Sequence, residues 1–206
     1  VVATGDMFIT RRIAEDGYEG FEELSDCIKE HDVKFSNLEM TFHNQEGYPA
    51  AVSGGTWAMM EPEALDDVKR FGFNLYNTAN NHSGDYGQEG VLATIRHLKE
   101  RDMVFSGTGR NLAEASKACY LETRKARVAL ISVSSSFHEA ARAGGQSHEL
   151  VGRPGLNPLR FSEKYTITEK HAQDLAKIAE VTGINGLRDL HRQEGFIAPL
   201  PEGAME

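Results

Sequence analysis

Asn77-Thr78-Ala79-Asn80-Asn81-His82-Ser83-Gly84-Asp85-Tyr86-Gly87 is the stretch on which the fold turns. An apolar run, Phe71 to Tyr76, leads into it. A helical pattern from Gly87 to Arg101 leads out, with Val91, Leu92, Ile95 and Leu98 on one face. A polar turn between strand and helix falls at a strand's carboxyl end, where open α/β sheets place their sites. Asn81 offers an amide oxygen, His82 an imidazole, and Asp85 a carboxylate able to orient that imidazole. Such groups suit metal-assisted hydrolysis of a phosphoester or related bond. Taken alone, the stretch reads equally as a plain turn, because Asn and Gly tolerate positive φ.

Working outward, two upstream strand ends supply matching chemistry. Val1 to Thr4 is strand-like and ends in Gly5-Asp6. Val33 to Glu39 alternates and delivers Asn37 and Glu39, two apart and so on one face. Phe21, Leu24 and Ile28 mark a helix between these strands. Pro62 fits the first turn of another, whose inner stripe is Leu65, Val68 and Phe71. Met40 to Met60 has no clean period and reads as a long loop, with His43 a loop or lid residue.

Downstream, Met103 to Phe105 is a short buried strand, followed by Ser106-Gly107-Thr108-Gly109-Arg110-Asn111. This Gly-x-Gly turn before a helix is either a tight turn or a phosphate cradle formed by Gly107, Gly109 and Arg110. Tyr120 to Glu122 and Arg127 to Val133 read as strands, and the apolar Val128 to Val133 as one covered on both faces. Residues 135–206 form an irregular and helical extension. Thr168 caps a helix with Ala172, Leu175, Ala176 and Ala179 on its packed face, and Gly183 stops it. A short helix spans Leu187 to Gln193, and Pro199 to Glu206 reads as frayed.

The alternation of strand and helix predicts an α/β fold, a largely parallel sheet with flanking helices, in a single domain over residues 1–206. All three polar groups then lie on one sheet edge. The composition, 40% hydrophobic with mixed charge, is that of an ordinary soluble globular protein. A net charge of −9 without a basic stripe argues against nucleic acid as a partner. No apolar run is long enough to span a membrane. Cys27 and Cys119, far apart and outside any CxxC spacing, read as buried free thiols, with a disulfide as the alternative.

In order, Gly5-Asp6, Asn37-Leu38-Glu39, Ala79-Asn80-Asn81-His82 with Asp85-Tyr86-Gly87, and Gly107-Thr108-Gly109 with Asn111 and Glu114-Ala115 carry a family resemblance. The chain resembles the CapA family, poly-γ-glutamate capsule biosynthesis proteins of the calcineurin-like metallophosphoesterase superfamily, from Val1 to roughly Ser135. The resemblance implies part of a four-layer α/β/β/α sandwich. It implies that Asp6 ligates one metal, Glu39 bridges two and Asn81 ligates the second. His82 then stabilises or protonates the leaving oxygen, held by Asp85, with Asn37 and Asn80 in support. The implied cofactors are divalent ions (Mn, Mg, Zn or Fe), and the implied partners an anionic polymer or phosphoester substrate and other capsule-synthesis proteins. The alternative is a non-catalytic binding or assembly subunit. The family is often membrane-anchored and extracytoplasmic; a cytoplasmic location stays open.

The pattern also departs from the phosphoesterases. Phe8 stands where they carry a histidine, and His138, His148, His171 and His191 lack the His-x-His or Gly-His context of their later ligands. The expectation is therefore a domain incomplete at its C-terminal end, with a half-built site holding few or no transition metals.

Overall fold

The computed structural model describes residues 1–197. They divide into two compact units, Val1–Phe161 and a second beginning at Ser162. In the first, four parallel strands form the central sheet: β1 (Val2–Met7), β2 (Lys34–Leu38), β5 (Leu75–Asn77) and β6 (Phe105–Ser106), in that spatial order. The connections carry α1 (Phe21–Lys29), α2 (Ala64–Arg70) and α3 (Gly87–Glu100). Because chain order equals spatial order, right-handed crossovers set these helices on one face of the sheet. The core lies there: Phe21 and Ile28 from α1, Leu65 and Val68 from α2 and Leu98 from α3 meet Leu38 and Tyr76 from the strands. This is the α/β architecture with a mostly parallel sheet and flanking helices that the periodicity predicts.

The helix stripes are narrower than their sequence patterns. Leu24 and Leu92 remain 46% and 37% exposed, while Ser25 and Thr94 are buried in their helices. The 40–60 stretch is a long loop closed by a parallel pair, β3 (Thr41–Phe42) with β4 (Met59–Met60). His43 is fully buried in it, its ring edge-on to Tyr86.

Beyond β6, β7 (Thr108–Gly109) leads into α4 (Leu112–Ala115), which Asn111 caps by accepting the Glu114 N–H. β8 (Cys119–Glu122) and β9 (Arg127–Leu130) form an antiparallel hairpin. The expectation of a strand covered on both faces fails at Ile131 and Val133, which are 64% and 46% exposed, because the hairpin's strands pair only with each other among the described residues. The thiols also differ from expectation: both are free, but Cys27 is exposed on α1 and Cys119 half-buried in β8. A 3-10 turn at Glu139–Ala141 precedes β10 (Gly155–Leu156), which pairs antiparallel with β7.

The second unit holds α5 (Glu169–Thr182) and α6 (Gly186–Gln193). Thr168 caps α5 by accepting the His171 N–H, and Gly183 ends it at φ +60°. Of the expected packed face, Ala172 and Ala179 are half-buried and Leu175 and Ala176 exposed. Residues 199–206 lie outside the described residues. No helix among the described residues is long and apolar enough to cross a membrane.

Candidate functional site

Backbone register builds the site. Asp6, Asn37 and Asn77 are paired neighbours across β1, β2 and β5, one row at the carboxyl ends of the strands. Asp6 reaches this row through a bulge. From Ala3 to Asp6 the chain advances three residues while its partner advances two, from Phe35 to Asn37. Unbroken pairing would set Gly5 opposite Asn37 and turn Asp6 toward the helices; the inserted residue re-aims it. Leu38 and Tyr76 join the helix-side core, so Asn37 and Asn77, their immediate neighbours, stand on the opposite face.

In this row the Asn37 amide donates to Asp6 Oδ1 at 2.8 Å and to Glu39 Oε2 at 3.2 Å. The Asn37 and Glu39 hydrogen bonds hold the Asp6 carboxyl below the usual carboxylate range. Burial, then the adjacent Asp6, push Glu39 up. Two carboxylates so placed repel each other when both are ionised, a repulsion that a bound cation relieves. His82 lies near enough to bias the ionisation of both.

The Asn-Asn-His turn is tied by its own side chains. Ser83 Oγ donates to the Thr78 carbonyl at 2.6 Å and accepts the Asn80 N–H at 2.9 Å. Asn80 donates to Asn37 Oδ1 and to the Leu38 carbonyl, and its own Oδ1 accepts the His82 N–H. His82 Nδ1 bonds Asp85 Oδ2 at 2.7 Å. A carboxylate only accepts, so Nδ1 carries the proton and Nε2 is the free end of the ring. Phe8 packs edge-on against this imidazole, ring centroids 5.6 Å apart. Asp85 is buried and also accepts the Gly54 and Ala58 N–H groups, which straps the 50–58 loop over the turn.

Hydrogen bonds thus link Asp6, Glu39, Asn37, Asn80 and the His82 backbone in one network, with Asp85 bonded to the His82 ring. Asn81 is in the same turn, but its amide nitrogen donates to the Gly54 carbonyl at 3.0 Å. Among the described residues, no three His, Cys, Asp or Glu side chains gather closely enough to hold a metal ion. The Asp6 and Glu39 carboxylates, held under the one Asn37 amide, are the oxygen donor type that a hard divalent cation takes.

Gly107, Gly109 and Arg110 are engaged in local contacts of their own. A Cβ at Gly107 would stand 2.6 Å from the Ala79 backbone N, and one at Gly109 would stand 2.3 Å from the Ala115 N. The Arg110 guanidinium is paired with Glu114, whose carboxyl it holds down to about 2. The residue that motif reading passed over is Asn77. The available signal was its place at the end of its strand, matching that of Asn37 in the neighbouring one.

Comparison with known proteins identifies relatives of this chain. The family model "Bacterial capsule synthesis protein PGA_cap" matches residues 1–185. An uncharacterised protein of Sinorhizobium fredii, y4sH, is 37% identical over 87% of this chain and 40% of its own length. The capsule biosynthesis protein CapA of Bacillus anthracis is 30% identical over 67% of this chain and 33% of its own. The PGA biosynthesis protein CapA of Bacillus subtilis is 26% identical over 47% of this chain and 25% of its own. The chain spans at most two fifths of the length of these relatives. On this evidence the chain belongs to the CapA family of bacterial capsule synthesis proteins.

Proposed function

We propose that this chain carries the site of a divalent-cation-dependent hydrolase of capsule-polymer biosynthesis, acting on a phosphoester or a γ-glutamyl polymer. The observation that carries the reading is the pairing of Asp6 and Glu39 under one amide, with the Asp85-oriented His82 beside them. Asp6 and Glu39 would hold the cation, with the Asn81 amide oxygen a further donor. A Mn-, Mg-, Zn- or Fe-class ion, when bound, polarises a phosphoryl or carbonyl oxygen. His82, as imidazolium, gives its Nε2 proton to the leaving oxygen. Buried Asp85 keeps the ring aimed and stabilises its positive charge. Asn37 keeps the two carboxylates together.

Calorimetric titration with Mn(II) tests the site, with hydrolysis of p-nitrophenyl phosphate and of γ-linked oligoglutamate as activity readouts. Wild type is expected to bind Mn(II) stoichiometrically and Glu39→Ala to lose binding while staying folded. His82→Ala is expected to retain Mn(II) and lose about 10²–10⁴-fold in turnover. Equal affinity of wild type and Glu39→Ala would refute the assignment. A second reading, in keeping with the capsule-synthesis relatives, is a non-catalytic polymer-binding or assembly subunit working with other capsule-synthesis proteins. It predicts polymer retention without turnover at any metal concentration.

A further inference from the structure

We propose that Asn77 is a positioning residue of this site, fixing through Asn37 which hydrogen-bonding groups the carboxylates of Asp6 and Glu39 meet. The inference rests on the cation reading above. Its basis is the sheet row in which Asp6, Asn37 and Asn77 are paired neighbours. Adjacent strands lie about 4.8 Å apart, so short amides in one row can bond side chain to side chain.

The direction of the chain of bonds is fixed at its far end. The Ala79 N–H can only donate, and it donates to Asn77 Oδ1 at 2.9 Å. That turns the Asn77 NH2 toward β2, where it donates to Asn37 Oδ1 at 2.6 Å and to the Ala79 carbonyl at 3.2 Å. Asn80 adds a donation to the same Asn37 oxygen at 3.2 Å. With its oxygen so engaged, Asn37 can present only its NH2 to Asp6 and Glu39. The backbone of the Asn-Asn-His turn thereby sets the polarity felt by Glu39 one strand away and by Asp6 two strands away.

Asn77→Asp keeps the shape and replaces the donor with an acceptor. An oxygen would then face Asn37 Oδ1, and the favoured response is rotation of the Asn37 amide, which turns its oxygen toward the carboxylates and drives them apart. Charge alone predicts the opposite outcome, because an added anion near a cation site raises affinity. The sign of the effect therefore separates positioning from simple electrostatics.

The experiment measures Mn(II) affinity by calorimetry for wild type and Asn77→Asp, and the Asn37 side-chain NH2 resonances of both metal-free proteins by NMR. Expected are an affinity about 10-fold weaker or less in the variant and displaced Asn37 resonances. Unmoved resonances, or Mn(II) binding as tight as or tighter than wild type, overturn the proposal. Wild type that binds no Mn(II) overturns the cation reading, and this inference with it, a result distinct from failure in the variant alone. If Asn77→Asp does not fold, Asn77→Ala, which removes the donor without adding charge, is expected to weaken Mn(II) binding and displace the Asn37 resonances likewise, and unchanged affinity and resonances overturn the proposal.

Discussion

Asp85 joins two jobs in one buried carboxylate. One oxygen accepts from His82 Nδ1 and the Ala58 N–H, the other from the Gly54 N–H. Sequence spacing gives the first job, since a carboxylate three residues after a histidine can turn back onto its ring. Nothing in the spacing announces the second, because Gly54 and Ala58 bond through their backbones. The consequence is measurable. Asp85→Ala leaves the buried Ala58 N–H and the half-buried Gly54 N–H without this partner and is expected to lower the unfolding free energy by about 1–3 kcal/mol, read from urea denaturation. A loss of less than about 0.5 kcal/mol would show that the strap is not held by this carboxylate.

At the scale of elements, the segment that leaves β1 after Asp6 is fastened to α2. Buried Asp67 accepts from Arg12 Nε at 2.6 Å and from the Ile13 N–H at 3.0 Å. Arg70, one turn on, donates to the carbonyls of Ile13, Ala14 and Glu15. Burial opposes ionisation of Asp67, but the Arg12 and Ile13 hydrogen bonds outweigh it and hold the carboxyl below its usual range. A depressed folded-state pKa contributes stability that is present above the unfolded value and lost as pH falls through the folded one. Asp67→Asn is therefore expected to cost about 1–3 kcal/mol at neutral pH, Arg12 being partly solvated. The gap to wild type should stay full down to pH ~4 and close below it. Urea titrations across pH check this, and a gap that widens on acidification would contradict it.

For the whole molecule, the first unit contains the sheet, its helices and the entire core from Met7 to Met103. α5 and α6 contain no buried residue. Burial of apolar surface dominates folding energetics, so stability should reside in the first unit. A chain ending at Phe161 is expected to keep a cooperative thermal transition, its midpoint within about 5 °C of the full chain. A broad, non-cooperative melt followed by circular dichroism would show that the core needs residues beyond 161.

The amino-acid pattern carries the strand–helix alternation, the parallel sheet and the carboxyl-edge placement of Asp6, Glu39 and the Asn-Asn-His turn. Periodicity and turn chemistry are local and readable along the chain. It also determined the cap at Thr168, whose partner lies three residues away. Tertiary structure alone decided the rest. The bulge that turns Asp6 toward Asn37 is a matter of register between strands some thirty residues apart in the chain. The burial of His43 depends on α3 closing over the loop that carries it, with Gly90 beside its ring. The turning of Asn81 toward Gly54 depends on where the strap lands. Asn77 acquires its partner only when β5 pairs with β2. Each is a contact between segments distant in the chain, which local pattern cannot encode because it is set by packing.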